Sequence, residues 1–244
     1  MPLPRILTGC LCLITGCTGA PDLDSVIAKH VEARGGASAI EAIHSYEADI
    51  RIVEPTFEVD GNYVATRDGG MRIDISMDGT RVFTEALDQG RSWSWSPGEG
   101  VSEGSPQGSA ALRHGIEFPF KLFGLHEMRA RGHRLELQGR EVVDGIDYHV
   151  LQLTLDDGFH VTYYVHPESW LIERERARRA LHVDVDPTLE WIETVYSDYR
   201  PMGGVLYPYQ QVERQLTTGK VLSTGTTREI RINPPLAADH FAPP

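Results

Sequence analysis

Short runs in which apolar and polar residues alternate recur along this chain, and that period of two constrains its fold more than any other feature. Successive side chains of a strand point to opposite faces, so alternation over several residues describes a strand with one buried face and one wet face. The clearest run is 71–77, where Met71, Ile73, Ile75 and Met77 interleave with Arg72, Asp74 and Ser76. Tyr46, Ala48, Ile50 and Ile52 alternate with Glu47, Asp49 and Arg51, and Phe57, Val59, Gly61 and Tyr63 with Glu58, Asp60 and Asn62. Turn-forming residues punctuate the runs: Pro55, Asp78-Gly79, Asp144-Gly145, Asp156-Asp157-Gly158 and Pro167-Glu168-Ser169. Aspartate and glycine accept the positive φ that tight hairpins require. Further strands are expected over 80–87, 91–96, 139–143, 148–155, 159–166, 170–178, 189–198, 205–215 and 220–232. About 10–12 closely spaced strands predict a mainly β chain, an antiparallel barrel or sandwich and not a parallel α/β sheet.

Two segments break this rhythm. Near the start, Leu23, Val26, Ile27, His30 and Val31 share one face at spacings of three and four, and Gly35-Gly36 offers a helix end. A second short helical piece is expected over 37–43. Midway, a Gly/Ser/Pro-rich loop over 97–108 leads into 109–114 and then into Phe118, Pro119, Phe120, Lys121, Leu122, Phe123, Gly124 and Leu125. That apolar run has no charged partner face. Short helices are expected in this 97–132 insertion.

The first residues carry an address. Arg5 precedes an apolar stretch over 6–15, the layout of a secretory signal peptide. The stretch is shorter than the roughly 20 apolar residues a permanent membrane span needs. Ile14-Thr15-Gly16-Cys17 looks like a lipobox: a branched apolar residue, two small residues and the thiol that accepts diacylglycerol. Leu7-Thr8-Gly9-Cys10 has the same form, but cleavage there leaves too short an apolar segment. The alternative is an ordinary Cys17 near a conventional cleavage site such as the one after Ala20. All three cysteines stand at or before position 17, so the domain beyond them has no disulfide. The expected organisation is a signal peptide over 1–16, a lipidated tether over 17–21 and a single β domain over 22–244. Thr18, not Asp, follows the acylated residue, which by resemblance to Gram-negative lipoproteins implies the outer membrane, with the domain facing the periplasm. A net charge of -12 argues against nucleic acid, whose phosphates call for a basic patch, and against adhesion to anionic lipid. Membrane attachment then has to be covalent.

Several segments resemble those of a known group, the LolA/LolB-like periplasmic lipoprotein carriers and the envelope proteins that share their fold. They are 30–36 (His-Val-Glu-Ala-Arg-Gly-Gly), 144–148 (Asp-Gly-Ile-Asp-Tyr), 166–174 with its His-Pro-Glu-Ser start, 196–200 (Tyr-Ser-Asp-Tyr-Arg), 204–208 (Gly-Val-Leu-Tyr-Pro) and the ending Ile232-Asn233-Pro234 with Phe241. The resemblance implies an unclosed antiparallel β-barrel whose apolar concave face, partly covered by helices, shelters acyl chains of a lipid or a lipidated protein. The residues themselves supply matching parts. Trp93 and Trp95 share one side of a strand, and Phe118, Phe120, Leu122, Phe123 and Leu125 lie in a run able to cross the barrel mouth as a lid. Simple core packing is the alternative for both sets. The soluble shuttle of the family carries no anchor, so Cys17 points to a stationary acceptor or binding role.

Reactive groups in a recognisable constellation are missing from the sequence. It contains no His-Glu-x-x-His and no phosphate loop. No catalytic residue and no cofactor are assigned. His182-Val183-Asp184-Val185-Asp186 is the nearest approach to a metal motif, but it lacks further ligands and reads as a solvated strand edge ending at Pro187. Glu173 and Glu175, with Arg174, Arg176, Arg178 and Arg179, read as charged strand surface. Three readings follow: a non-catalytic protein binding a hydrophobic ligand, an envelope protein-interaction module using the concave face or the 97–132 insertion, and an enzyme of unrecognised type.

Overall fold

The computed structural model describes residues 21–244, so the expected leader, its cleavage site and Cys17 lie outside the described residues. Asp22 starts the first helix, α1 (Leu23–Arg34), by accepting a hydrogen bond from the Ser25 amide at 2.8 Å. Gly35 stops it at φ 125, where a Cβ would lie 2.0 Å from the Gly204 carbonyl oxygen. A five-residue helix, α2 (Ala37–Glu41), follows.

The rest is dominated by one antiparallel sheet of 13 strands. Its first half comprises β1 (Ser45–Glu54), β2 (Phe57–Thr66), β3 (Met71–Met77), β4 (Thr80–Asp88), β5 (Arg91–Ser96) and β6 (Gly100–Glu103). Its second half comprises β7 (Arg134–Val143), β8 (Ile146–Thr154), β9 (His160–Val165), β10 (Ile172–Arg179), β11 (Glu190–Met202), β12 (Val205–Gln215) and β13 (Val221–Ile232). Every strand pairs with its neighbour in sequence except at the centre, where β1 pairs with β13. The two edges are therefore β6 and β7, which do not pair with each other. The barrel is unclosed, as expected, and the linking segment with α3 (Pro106–Glu117) joins the edges. The expected strand count is slightly low because 100–103 is paired here instead of forming loop; β7 is also longer than expected, beginning at Arg134. Residues 109–114 fall inside α3, one of the short helices expected there.

Apolar alternation sets the face each strand turns inward. Tyr46, Ala48, Tyr63, Ala65, Met71 and Leu87 are register partners across β1 to β4 and belong to one buried cluster. Their polar neighbours face outward, where Arg72 pairs with Asp74 at 2.9 Å and Arg231 with Glu47 at 2.7 Å. Register shifts at Asp49/Ile50, Ile75/Ser76 and Leu137/Gly139 are the kind of irregularity that lets a broad sheet curl.

One end of the curled sheet is filled. There, at the β2–β3, β9–β10 and β11–β12 turns, Val26, Ile27 and Val31 of α1 and Ile40 of α2 join Phe120, Leu122, Phe123, Leu125 and Met128 in the same cluster as Tyr163, Val165 and Tyr207. Each such fully buried side chain contributes roughly 1.5–3 kcal/mol.

Two local expectations differ from the structure. The charged run in β10 is split by parity: Arg174 and Arg176 face outward onto Glu193, at 3.3 and 2.9 Å, while Glu175 and Arg179 face inward. The stretch His182–Asp186 is no strand edge but a tight loop, with the Asp186 amide donating back to the His182 carbonyl at 2.8 Å. No metal-binding cluster occurs among the described residues.

Candidate functional site

Arg34, only 2% exposed, holds the filled end together. Its Nη1 donates to the carbonyls of Pro119 at 2.7 Å and Phe123 at 3.3 Å, its Nη2 to that of Phe120 at 2.8 Å and its Nε to that of Leu206 at 3.4 Å. The 118–124 segment has no helix or strand to satisfy its carbonyls, and a guanidinium offers five donors in a fixed fork. Phe120 then packs edge-on against Tyr163, with ring centroids 5.7 Å apart, and at a tilt against Tyr196, at 4.3 Å. Leu122, Phe123 and Leu125 are at most 1% exposed, and Phe118 is half-buried. The apolar run thus crosses the interior as a packed plug beneath α1.

Trp93 and Trp95 do share a side of β5, and that side is the outer one. Register aligns Trp93 with Ala86 and Arg72, and Trp95 with Thr84 and Asp74, all outward positions. Trp93 is buried because the C-terminal segment covers it: its Nε1 donates to the Phe241 carbonyl at 2.8 Å, and Arg72 donates to that of His240 at 3.1 Å. Trp95 is half-buried, with the Arg81 guanidinium 4.3 Å over its ring.

Beyond the plug, the concave face is only half covered. Ile50, Ile52, Ile73 and Ile75 of β1 and β3 point inward and are half-buried, and Gly61 between them leaves room for their ends. A Cβ at Gly61 would meet the Cδ1 atoms of Ile52, Ile73 and Ile75 at 3.4–3.5 Å. Gln211 sits in mid-sheet between Gly225 and Tyr196 on the same inner face, yet is exposed. Towards the open end, Phe57, Met77 and Phe83 are 38%, 44% and 37% exposed. These residues form a trough with an aliphatic wall and an apolar rim.

The opposite wall is polar. Glu175, 5% exposed, pairs in register with Tyr163, and neither Glu175 Oε2 nor the Tyr163 hydroxyl has a hydrogen-bond partner. Arg179 bonds Glu213 at 2.5 Å. Lys121 hangs from the plug with its ammonium 4.6 Å over the Tyr63 ring. Burial pushes the Glu175 carboxyl up to about 7, against the pull of Arg179 and the Tyr196 hydroxyl, and pushes the Lys121 ammonium down. The 180–189 loop straps the open end: His182 Nε2 lies 3.0 Å from Glu54 Oε1, and the Ser105 hydroxyl bonds the Asp184 carboxylate. Inside the strap, burial raises the Glu85 carboxyl, helped by Asp184 and opposed by His182.

Two other concavities lie elsewhere. One of about 580 Å³ sits between the β4–β5 turn, β6 and α3, lined by residues such as Arg91, Glu103 and Arg113. The other, about 440 Å³, lies over β1–β3 and β13 and is lined by residues such as Asp49, Asp60, Asp74 and Arg228. Neither is the apolar chamber that the family resemblance implies. The trough is the concave surface that combines an apolar wall with unpartnered buried polar atoms.

Sequence reading missed Lys121, Glu175, Arg179 and Glu213. A usable signal was present in β10: both parities of 173–179 carry charge, so one charged set must face the interior once the strand lies in a curled sheet.

No protein-family model matches the sequence, and neither does any curated protein. Solved structures do match in shape. A LolA superfamily protein from Nitrosomonas europaea superposes with a TM-score of 0.58 at 14% identity, over 91% of this chain and 98% of that one. A DUF1329 family protein from Desulfovibrio piger gives 0.57 at 18% identity, over 91% and 98%. A domain named for outer membrane lipoprotein sorting, from Vibrio parahaemolyticus, gives 0.56 at 13%, over 88% and 94%. The chain has the LolA/LolB-like fold.

Proposed function

We propose that this chain is a lipid-anchored, non-catalytic binding protein of the bacterial envelope that holds an acyl chain, of a lipid or a lipidated protein, in the half-open trough. The observation that carries the reading is the inward-facing wall of Ile50, Ile52, Ile73 and Ile75, half-buried in a sheet whose other end is filled and continuous with the exposed Phe57, Met77 and Phe83. Apolar surface left open on a concave face is stabilised by an apolar ligand at about 25 cal/mol per Å² covered. The plug residues Phe118, Phe120, Leu122, Phe123 and Leu125 serve as the floor of the trough and meet the ligand there. Trp93 and Trp95, on the outer face, stay outside the pocket in this arrangement.

Cys17 is the proposed acylation site, fixing the protein to the outer membrane on its periplasmic side. A tethered protein receives or presents cargo locally instead of ferrying it. The lipoprotein-sorting name of one structural neighbour agrees with such cargo. A second reading, a docking surface for an envelope protein, is favoured by Val185, Leu189 and Trp191, exposed by 86%, 53% and 48% on and beside the strap.

Titration with a neutral, environment-sensitive acyl probe separates the two. Ile75→Asp is expected to abolish saturable probe binding while the far-UV CD spectrum and cooperative unfolding persist. Binding that survives Ile75→Asp in a folded protein places the ligand outside the trough, and no binding by the wild type leaves the docking reading.

A further inference from the structure

The trough is not uniformly greasy, and the polar groups in its wall are mismatched among themselves. Arg179 and Glu213 cancel as a pair. Lys121 has no such partner: among the described residues its ammonium makes neither an ion pair nor a hydrogen bond and rests only on the Tyr63 ring. Glu213, already bonded to Arg179, and Glu175 are the carboxyls whose field reaches it. Beside it on β9 and β10 stand the Tyr163 hydroxyl and Glu175 Oε2, both buried and both without a partner. Phe120, next to Lys121 in the plug, packs on the Tyr163 ring at 5.7 Å, Glu175 is the register partner of Tyr163, and the field of Glu175 reaches the Lys121 ammonium over Tyr63. A buried polar atom left without a partner costs about 1–3 kcal/mol, and a charged one more, so such a cluster is stable when something completes it.

Lys121 and Tyr163 are donors, and Glu175, whose carboxyl burial raises to about 7, is a third when it carries its proton. Three convergent donors bearing one unmatched positive charge call for an acceptor with one negative charge. Resting on the reading that the trough binds an acyl chain, we infer that Lys121, Tyr163 and Glu175 form a head-group site for a singly charged anionic amphiphile, a fatty carboxylate or a phosphodiester lipid. The chain would lie along Ile50, Ile52, Ile73 and Ile75 with its tail toward Phe83, and the anionic oxygens would meet Lys121.

The test compares 11-(dansylamino)undecanoic acid with its methyl ester, which keeps the chain and the fluorophore and removes the charge. The wild type is expected to bind the acid about tenfold more tightly, the size of one charge-assisted hydrogen bond. Lys121→Met should bring binding of the acid to the level of the ester. Displacement of the acid by lysophosphatidylglycerol but not by monoacylglycerol assigns a phosphodiester head, and displacement by neither assigns a free carboxylate. Equal binding of acid and ester by the wild type overturns the head-group site while leaving the acyl-binding reading intact. A preference for the acid that survives Lys121→Met overturns it as well. Failure of both probes to bind overturns both.

Discussion

Arg34 Nη2 donates to the Phe120 carbonyl oxygen at 2.8 Å, tying the end of α1 to the middle of the apolar segment that spans the gap between the sheet edges. The contact joins residues 86 positions apart, and the same side chain serves three more carbonyls. Replacing Arg34 with Met keeps the stem and leaves those carbonyls without their donor. A loss of roughly 3 kcal/mol or more is expected, read as a lower urea midpoint. Arg34→Lys should recover little of it, because one ammonium cannot reproduce a planar fork.

His30 sets a pH dependence. Its Nδ1 lies 2.8 Å from the Trp170 carbonyl, its Nε2 is buried without a partner, and burial, then the Arg34 charge, lowers its pKa to about 3. The unfolded chain takes up this proton near pH 6.5 and the folded chain does not. Between those values the unfolded state binds more protons, so stability is complete above pH 6.5 and falls as pH drops toward 3, by about 1.4 kcal/mol per pH unit for this group. Urea midpoints of wild type and His30→Phe, compared at pH 7 and pH 5, should show a shallower decline in the variant.

Glu175 acts with the opposite sign. Its folded pKa, raised to about 7 by burial, lies above the unfolded value of 4.5, so stability is highest below 4.5 and declines as pH rises through 7. Glu175→Gln removes the charge and keeps the shape. The variant is expected to gain roughly 2–4 kcal/mol over the wild type at pH 8 and to match it at pH 4.5, measured as the difference in Tm.

Gly35 has both reasons to be glycine: a φ of 125 and a Cβ position 2.0 Å from the Gly204 carbonyl oxygen in the β11–β12 turn. Gly35→Ala should cost several kcal/mol and lower Tm markedly, by shifting α1 away from the sheet.

Much of the fold was legible because alternation in 46–52, 57–63 and 71–77 reflects a one-sided burial that the sheet then enforces. The exposed turns were legible for the same local reason: Asp78 and Asp144 do take positive φ. The site was not. Whether Trp93 faces in or out depends on which parity of β5 meets β4, and Ser92 and Trp93 are both buried, one against α3 through Ser109 and the other under the C-terminal segment. Those two coverings come from residues 17 and 148 positions away, so no local pattern records them. Lys121 is similar: within an apolar run it reads as a solubilising interruption, and only the arrangement of the plug turns it inward onto the Tyr63 ring of β2.

The central claim is that an apolar ligand occupies the trough, and a reporter inside it tests this most directly. The domain beyond Cys17 contains no cysteine, so Gln211→Cys can carry a single environment-sensitive fluorophore on the inner face, with Arg51→Cys carrying the same label on the outer face. Titration with the methyl ester of a long-chain fatty acid should give a saturable blue shift at position 211 and none at position 51. A shift equal at both positions, or absent at 211, would contradict the account.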